Sequence, residues 1–487
     1  MIARTIDELL AHANGTLVAP APATSPVVTQ VVTDSRQAGP GTLFVAIQGE
    51  RVDGHDFLGQ VAAAGASAAI IKDLDAARAS LASAELDSQA IALIQVPDPV
   101  EALGELARRH LADLRERAQA RGQQLTVVGM TGSVGKTTTK DLTRQLLAAC
   151  GPTVAPRLSF NNEVGLPLTV LETDESTRYL VLEMGASGTG HISYLTQIAP
   201  LDAAAVLLIG HAHMGGFGSV DGVAAAKSEI VTGLLPTGTA VLNLDDPRSA
   251  AMESLAPGEV LRFSASGHPN AQVRATEVKL DPKAHAVFKL HLPGLDAPTT
   301  VRLCLPGAHN VSNALAAASL ALAAGASAET VADALEQARM ESPHRLDVSD
   351  LSRDILLIDD SYNANIDSMT ASLASLPAIA RERRRVVVIS EMLELGESSG
   401  RDHARTGELA VQAGAALVVA IGEGTAPLTA AVKATDPQVQ TVTFPDAEAA
   451  IGQIISLLHD GDAVLIKGSN GSGAWRLADH LKEVLSA

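Results

Sequence analysis

The sequence is poor in aromatic residues and nearly without cysteine. Phe, Trp and Tyr number 7, 1 and 3 among 487 residues, so any hydrophobic core has to be built from Ala, Val, Leu and Ile. The two cysteines, Cys150 and Cys304, lie far apart and lack the spacing of metal ligands or of a disulfide framework. This excludes a disulfide-stabilised scaffold and is typical of a reducing compartment, where we interpret both cysteines as small buried hydrophobic residues.

The chain also lacks the marks of a membrane protein or of a nucleic-acid-binding protein. No run reaches the roughly 18 apolar residues of a membrane span, and the initial stretch MIARTIDELLAHANG carries acidic residues that a signal peptide would not have. A formal net charge of −19 disfavours nucleic acid as a partner. The one dense basic run, RERRR (381–385), precedes a strand-like segment and is interpreted as a solvated helix end. We therefore expect a soluble, cytoplasmic protein.

In three segments of the chain, apolar strands alternate with helical patterns. A length of 487 residues leads one to expect about three domains. Residues 1–120 include TLFVAIQG and SAAIIKD, residues 121–341 include LTVVGM, YLVLEMG, DAAAVLLIG and TAVLNLDD, and residues 342–487 include DILLIDD, RVVVIS, ALVVAIG and DAVLIKG. Near-continuous apolar strands separated by helices indicate buried, mostly parallel sheets. The prediction is an α/β protein of three domains: a small N-terminal α/β domain, a central domain with a mostly parallel sheet, and a C-terminal Rossmann-like α/β domain.

The stretch VVGMTGSVGKTTTKDL (127–142) is a partial phosphate-binding loop between a strand and a helix. Strict spacing needs a first glycine at position 130, which is Met130. A glycine-rich turn at a helix N-terminus still points backbone N–H groups at an anion, while Lys136 can reach terminal phosphates and Thr137 can offer a hydroxyl to Mg²⁺. The central segment is therefore predicted to be a phosphate-loop ATPase domain.

With its departure from strict spacing, this loop resembles the ATP loop of the Mur ligases, which add amino acids to the bacterial cell-wall precursor. The resemblance continues in order through FNNEVGLPLTVL (160–171), LEMGASGTGHI (182–192), HAHMGGFGS (211–219), AAAKSEI (224–230), NLDDP (243–247) and GAHNVSNALAA (307–317). In the first segment, TDSRQAGPGTLFVAIQGERVDGHDF (33–57) resembles the uridine-nucleotide-binding domain of two branches of the family.

Within the family, the third segment resembles the branch that adds D-alanyl-D-alanine. The stretches that carry this resemblance are DDSYNANIDSM (359–369) and SEMLELGESSGRDH (390–403). The D-Y-x-H-x-P-D and D-N-P-R motifs of the tripeptide-forming branch do not occur. The resemblance implies an ATP-dependent ligase that joins UDP-N-acetylmuramoyl-tripeptide to D-alanyl-D-alanine through an acyl phosphate, in peptidoglycan precursor synthesis. It implies small-molecule partners, no nucleic acid and a monomer.

Four positions depart from the family pattern. Ile366 stands in place of the usual proline, Glu391 in place of aspartate, Gly215 in place of glutamate, and His344 in place of the glycine of Pro-Gly-Arg. The last departure directly precedes Arg345, a predicted site residue.

The resemblance implies a role for each candidate residue. Those expected at the ATP phosphates are Gly132, Ser133, Gly135, Lys136, Thr137, Thr138 and Arg345. His309 and Asn310 are assigned to the adenine and Asp360 to the ribose. Two Mg²⁺ sites are implied, one held by Thr137 and Glu183, and one by His213 with Lys227 as a carbamylated lysine; Lys136, Lys227, His213 and Glu183 form the catalytic set. The substrate residues are Ser35 and Arg36 for the uridine diphosphate, and Asn161, Asn162, Tyr362, Asn363 and Asn365. Lys467-Gly468-Ser469 is a further candidate for the dipeptide carboxylate.

From the residues alone, simpler interpretations stay open. Glu183 could cap a helix, His213 could be structural, and the side chain of Lys227 could extend its ammonium group to water. Asn310 could cap a helix N-terminus, and Ser35 with Arg36 could form a solvated turn. For the whole chain, the alternatives are another ligase of this architecture, such as the tripeptide-forming branch or a folate polyglutamylating enzyme, and a non-catalytic nucleotide-binding regulator.

Overall fold

The computed structural model describes residues 1–19, 27–49, 52–87, 89–210 and 217–486. The strands are β1 Thr16–Ala19, β2 Gln30–Val32, β3 Thr42–Val45, β4 Ala68–Ile71, β5 Ala92–Gln95, β6 Thr126–Thr131, β7 Thr153–Val154, β8 Tyr179–Glu183, β9 Leu201–Val206, β10 Leu234–Asn243, β11 Val260–Ser264, β12 Val273–Leu280, β13 His285–His291, β14 Thr299–Pro306, β15 Asp347–Leu351, β16 Ile355–Asp360, β17 Arg385–Ser390, β18 Ala415–Ile421, β19 Gln440–Phe444 and β20 Ala463–Lys467.

The helices lie between these strands, as the alternating pattern predicts. They are α1 Ile6–Ala13, α2 Leu58–Ala63, α3 Leu74–Ser83, α4 Pro99–Ala120, α5 Lys136–Ala148, α6 Gly165–Leu171, α7 His191–Ile198, α8 Val220–Thr232, α9 Pro247–Ala251, α10 Asn310–Ala323, α11 Ala328–Gln337, α12 Ile366–Ala380, α13 Ser399–Gln412, α14 Ala426–Thr435, α15 Ala447–Ile451, α16 Ile454–Leu457 and α17 Ala474–Val484.

The described residues form three sheets, each from strands of one predicted segment. Their strand orders are β1-β5-β4-β3-β2, β14-β13-β12-β11-β10-β9-β6-β8-β7 and β15-β16-β20-β17-β18-β19. Strands β2 to β5 pair in parallel, as do β16 to β20, whereas β1 and β15 are antiparallel edge strands. The α/β class with three sheet regions is thereby confirmed, while the domain boundaries 1–120, 121–341 and 342–487 stay a prediction.

By its internal contacts the chain divides into two compact units. The first comprises Met1–Gly129, Gly151–Gly185 and His191–Asp202, and the second comprises Met130–Cys150, Ala186–Gly190 and Ala203–Ala487. The first unit contains the complete N-terminal sheet, and the second contains the phosphate-loop turn together with the complete third sheet.

The third sheet illustrates how a core is built with few aromatic residues. Val386 and Val388 of β17 point into one cluster of aliphatic side chains, and Val387 and Ile389 point into a second cluster. Because successive side chains of a strand alternate between the two faces, an uninterrupted apolar strand requires a hydrophobic layer on each face. Helices α12 and α13 contribute to one layer and α17 to the other.

Two details correct or extend the sequence expectations. Cys150 and Cys304 are half-buried rather than buried, although both are free thiols as expected. The central sheet is mixed, since β12, β13 and β14 pair antiparallel.

Among the described residues, no helix is long and apolar enough to cross a membrane.

Candidate active site

The turn between β6 and α5 has the geometry of a phosphate loop at a helix N-terminus. Gly135 immediately precedes α5 with φ of +86°, and Lys136 is the first helical residue. No side chain caps this helix end, which leaves its N-terminal N–H groups and the positive end of the helix dipole for an anion. The Nζ atom of Lys136 folds back to the Gly132 carbonyl at 2.9 Å.

The loop is fixed by contacts on Ser133. Its N–H donates to the Leu208 carbonyl at 2.7 Å, and its hydroxyl oxygen accepts from the Gly210 N–H at 2.9 Å. The side-chain amide of Asn365 donates to the Ser133 carbonyl at 3.3 Å. Asn365 also caps helix α12, where its Oδ1 accepts from the Ser368 N–H at 2.9 Å. The structure therefore brings a predicted substrate residue onto the phosphate loop, in a structural role.

Arg345 lies at the phosphate loop although 208 positions separate it from Thr137. Its Nη2 donates to the Thr137 hydroxyl at 3.0 Å, and its guanidinium carbon lies 4.4 Å from the centre of the Tyr362 ring. Stacking on an aromatic face keeps a guanidinium in place while its N–H groups remain able to bind phosphate. Arg345, Tyr362 and Thr137 thus form one cationic corner at the phosphate loop, while their contacts with ATP and substrate stay predictions.

The segment that leads to Arg345 is attached to the phosphate-loop helix by buried groups. Asp141 of α5 accepts from the Ser342 N–H at 2.8 Å, and Lys140 donates to the Ser342 hydroxyl at 3.0 Å. Lys140 and Asp141 also form an ion pair at 2.5 Å, and both side chains are almost fully buried. Because a buried charge without its partner is costly, these contacts fix Ser342 to α5. Sequence reasoning did not identify this attachment.

Asp360, the predicted ribose residue, is bound by groups of the third sheet. Its Oδ2 accepts from Lys467 Nζ at 2.6 Å and from the Ser372 hydroxyl, and its Oδ1 accepts from the Leu346 N–H at 3.2 Å. Burial lowers the pKa of Lys467, whose ammonium group also donates to the Asn363 carbonyl at 3.1 Å. The structure therefore places Lys467 on Asp360, where its direct role is to orient that carboxylate.

The two predicted adenine residues lie at the start of α10. Asn310 donates from Nδ2 to the Pro306 carbonyl at 2.7 Å, and its Oδ1 accepts from Asn313 at 2.9 Å. No side chain caps the start of α10, so these contacts are not the helix cap that the sequence left open for Asn310. His309 approaches the Ser375 hydroxyl at 3.3 Å, and burial lowers the pKa of its imidazole, so the neutral form is favoured.

Glu183 ends β8 with 1% of its surface exposed, in the first compact unit. Its Oε1 accepts from the Asn161 side-chain amide at 2.8 Å. A buried carboxylate at the C-terminal end of a parallel strand lies where doubly wound folds bind ligands. Carboxylate oxygens are donors that Mg²⁺ prefers, so the chemistry of Glu183 suits a Mg²⁺ ligand, and its place in the first Mg²⁺ site stays a prediction.

Lys227 lies on α8 with 2% of its surface exposed. Its side chain does not reach water, which removes the simpler interpretation of an ammonium group that extends to the solvent. His213, its expected partner, lies outside the described residues, as does Gly215.

Several other predicted residues lie at exposed turns. Arg36 is paired with Asp34 at 2.6 Å in the short 3-10 turn Ser35–Gln37, as in the solvated turn that the sequence left open. Asn162 accepts from the Gly165 N–H at 2.9 Å at the start of α6, and the exposed Asn363 accepts from the Ala364 N–H at 2.8 Å. Contacts of these side chains with substrate stay predictions, and so does the contact of Thr138 with the ATP phosphates.

Family models match three parts of the chain. They are described as "Mur ligase family, catalytic domain" over residues 27–111, "Mur ligase middle domain" over residues 130–321 and "Mur ligase, glutamate ligase domain" over residues 344–470.

Two similar proteins share one specific name. The chain is 40% identical over 478 residues to the UDP-N-acetylmuramoyl-tripeptide–D-alanyl-D-alanine ligase of Mycobacterium tuberculosis, covering 92% of this chain and 91% of the relative. It is 36% identical to the Escherichia coli ligase of the same name, with 99% of both chains covered. Among solved structures, MurF from Acinetobacter baumannii matches with a TM-score of 0.83, 33% identity and 99% of both chains covered. MurF from Thermotoga maritima in complex with ADP matches with a TM-score of 0.74 and 25% identity, covering 94% of this chain and 98% of that one.

A substitution at Gly135 tests the assignment of this turn as a phosphate loop. A Cβ atom there would lie 2.3 Å from Asn313 Oδ1, on a backbone with φ of +86°. We expect Gly135→Ala to lower the free energy of unfolding by about 1–2 kcal/mol from backbone strain and to weaken ATP binding, measured by thermal denaturation and calorimetry. Gly325→Ala is the matched control, because Gly325 has φ of +90° with no atom within 4 Å of the added Cβ.

Gly325→Ala should lower stability and leave ATP affinity unchanged. Normal ATP affinity in a folded Gly135→Ala variant would contradict the assignment of this turn to the phosphates.

Proposed function

Because this chain belongs to the Mur ligase family, we propose that it joins UDP-N-acetylmuramoyl-tripeptide to D-alanyl-D-alanine at the expense of ATP. The chain is a MurF-type ligase of peptidoglycan precursor synthesis, as its relatives and the matching MurF structures indicate. The motif-based resemblance to the D-alanyl-D-alanine-adding branch is thereby confirmed. No feature of the described residues favours a polyglutamylating enzyme or a non-catalytic regulator.

The observation that carries the proposal is the contact of Arg345 with Thr137 at 3.0 Å. Forming an amide from a free carboxylate requires a better leaving group than oxide, and phosphorylation of the carboxylate by ATP supplies one. Phosphoryl transfer depends mainly on neutralising charge at the transferring group. The Arg345 guanidinium, the Lys136 ammonium and the N-terminus of α5 are the positive groups at this turn.

In the proposed reaction, a carboxylate oxygen of the UDP-linked tripeptide attacks the γ-phosphorus of ATP, and ADP leaves. The amine of the dipeptide then attacks the acyl carbon through a tetrahedral intermediate, loses a proton, and inorganic phosphate leaves. Lys136 and Arg345 hold the phosphates in line for the first step. Bound Mg²⁺ would neutralise phosphate charge, and the resemblance to the family is the support for proposing Thr137 and Glu183 as the residues that would hold it.

Lys227 is proposed to act as a carbamate in a second Mg²⁺ site with His213. Its support here is the burial of Lys227, which has 2% of its surface exposed. Reaction of the neutral amine with CO₂ forms an N–C bond, releases one proton and replaces a cation by a carboxylate-like anion. Such an oxygen donor suits a hard cation.

We also propose that the protein acts in the cytoplasm, as a monomer, with small molecules as its partners. The support for these points is the composition and the cytoplasmic chemistry expected of ATP-dependent precursor synthesis.

The amine specificity can be tested by phosphate release. With ATP, Mg²⁺ and UDP-N-acetylmuramoyl-tripeptide, we expect release to depend on D-alanyl-D-alanine and to be absent with D-alanine alone. Lys136→Ala is the control that assigns the release to this site, since it removes a cation that stabilises the transition state. If single amino acids are ligated while the dipeptide is inert, the proposed substrate is wrong.

The carbamate predicts chemical rescue. Lys227→Ala should lose nearly all activity, and acetate or formate should restore part of it by supplying a carboxylate in the vacated volume. Lys433→Ala, which removes an exposed lysine from helix α14, is the matched control and should keep full activity. Full activity of Lys227→Ala in carbonate-free buffer, with no response to added carboxylate, would refute the carbamate.

A further inference from the structure

The backbone on both sides of Arg345 adopts a conformation that L-residues avoid. His344 has φ of +59° and Leu346 has φ of +52°. A left-handed conformation at a non-glycine residue costs free energy and persists only where surrounding contacts enforce it. Contacts around Arg345 must therefore hold this turn.

The His344 side chain supplies the main contact. Its Nδ1 lies 2.8 Å from Asp359 Oδ2, and the Asp359 side chain has no exposed surface. The same carboxylate also accepts from Lys482 Nζ at 2.7 Å and from the Ser361 hydroxyl at 2.6 Å. The His344 carbonyl accepts from the Tyr362 N–H at 3.2 Å, which fixes the residue whose ring stacks on Arg345.

The chain is also fixed immediately before and after this turn. The Ser342 N–H is held by Asp141 at 2.8 Å, and the Leu346 N–H is held by Asp360 at 3.2 Å. Only residues 343–345 lie between these two anchors, so the conformation of His344 decides where the Arg345 side chain begins.

We propose that His344 is a positioning residue for phosphoryl transfer: its imidazole, bound to buried Asp359, holds the left-handed turn that places Arg345 on the phosphate loop. The proposal rests on the proposed function in one respect: the phosphates that Arg345 binds are those of ATP. A glycine would adopt this turn without strain but would lack the contact with Asp359. In this chain a side-chain contact thus stabilises a turn that glycine would form by its intrinsic freedom.

The charge of the imidazole adds to this contact. The groups facing it are Asp359 of β16, and Lys482, Asp479 and Trp475 of α17, with Asp479 3.9 Å from Nε2 and the Trp475 ring centre 6.2 Å away. The hydrogen bond with Asp359 raises the pKa of His344 above its ordinary value of 6.5. The charged form therefore predominates below that raised pKa, and its contribution is lost as the pH rises through it.

The test measures Mg·ATP affinity by calorimetry, which requires no ligase turnover. His344→Gly relieves the strain and removes the contact, so we expect the variant to fold and its Kd for ATP to rise about tenfold, the loss typical of a charged hydrogen bond. His344→Asn tolerates the left-handed turn and can donate an amide to Asp359. It should therefore recover part of the affinity. We expect the ATP affinity of wild type to weaken as the pH rises and His344→Asn to lose this weakening. The titration of ATP itself is common to both proteins.

Arg353→Gly is the matched control, because Arg353 also has φ of +60° and pairs with an acid, Asp460, at 2.6 Å. It should leave ATP affinity unchanged. Unchanged ATP affinity in His344→Gly, or the same pH dependence in His344→Asn as in wild type, would overturn the proposal. Failure of the proposed function would look different: wild type would bind ATP yet show no phosphate release that depends on the dipeptide.

Discussion

The hydrogen bond from Arg345 to the Thr137 hydroxyl joins two parts of the chain that are remote in sequence, and the candidate site depends on it. A phosphate loop alone binds a nucleotide through backbone N–H groups and one lysine. Transfer of the phosphoryl group needs further positive charge at a defined place. The guanidinium of Arg345, stacked on Tyr362, provides that charge within reach of the first turn of α5.

Buried charges are the means by which this contact is held. Lys140 with Asp141, Lys467 with Asp360, and His344 with Asp359 are three buried or half-buried pairs around the segment that carries Arg345. Such pairs contribute little net stability, because desolvation offsets most of their attraction. What they contribute is position: the partners of these pairs lie beside the segment that carries Arg345 and hold it by hydrogen bonds and ion pairs.

The sequence predicted the parts of this structure that depend on local patterns. The strands of the third sheet are confirmed because uninterrupted apolar runs such as RVVVIS require a sheet covered on both faces. The strand, glycine turn and helix predicted for the phosphate loop are present, because these parts are adjacent in the chain. Ile366 replaces proline without consequence for α12, since it is the first helical residue and Asn365 caps the helix.

Contacts between distant residues could not be predicted in the same way. Nothing near Asp141 indicates that it accepts from Ser342, and nothing near Lys467 indicates that it binds Asp360 rather than a substrate carboxylate. The mixed part of the central sheet was missed because β12 to β14 carry alternating polar side chains, which lack the signature of buried strands. His344 was noticed only as a departure from a family glycine, and its positive φ explains why glycine is usual there.

The most direct test of the account is the affinity of Arg345 variants for ATP and for AMP, which lacks the β- and γ-phosphates. If Arg345 serves the phosphates, Arg345→Ala should weaken ATP binding at least tenfold, about 1.4 kcal/mol, and leave AMP binding unchanged. Arg345→Lys should recover only part of the loss, because an ammonium group cannot stack and donate as a planar guanidinium does. Equal losses for ATP and AMP, or no loss for either, would contradict the account.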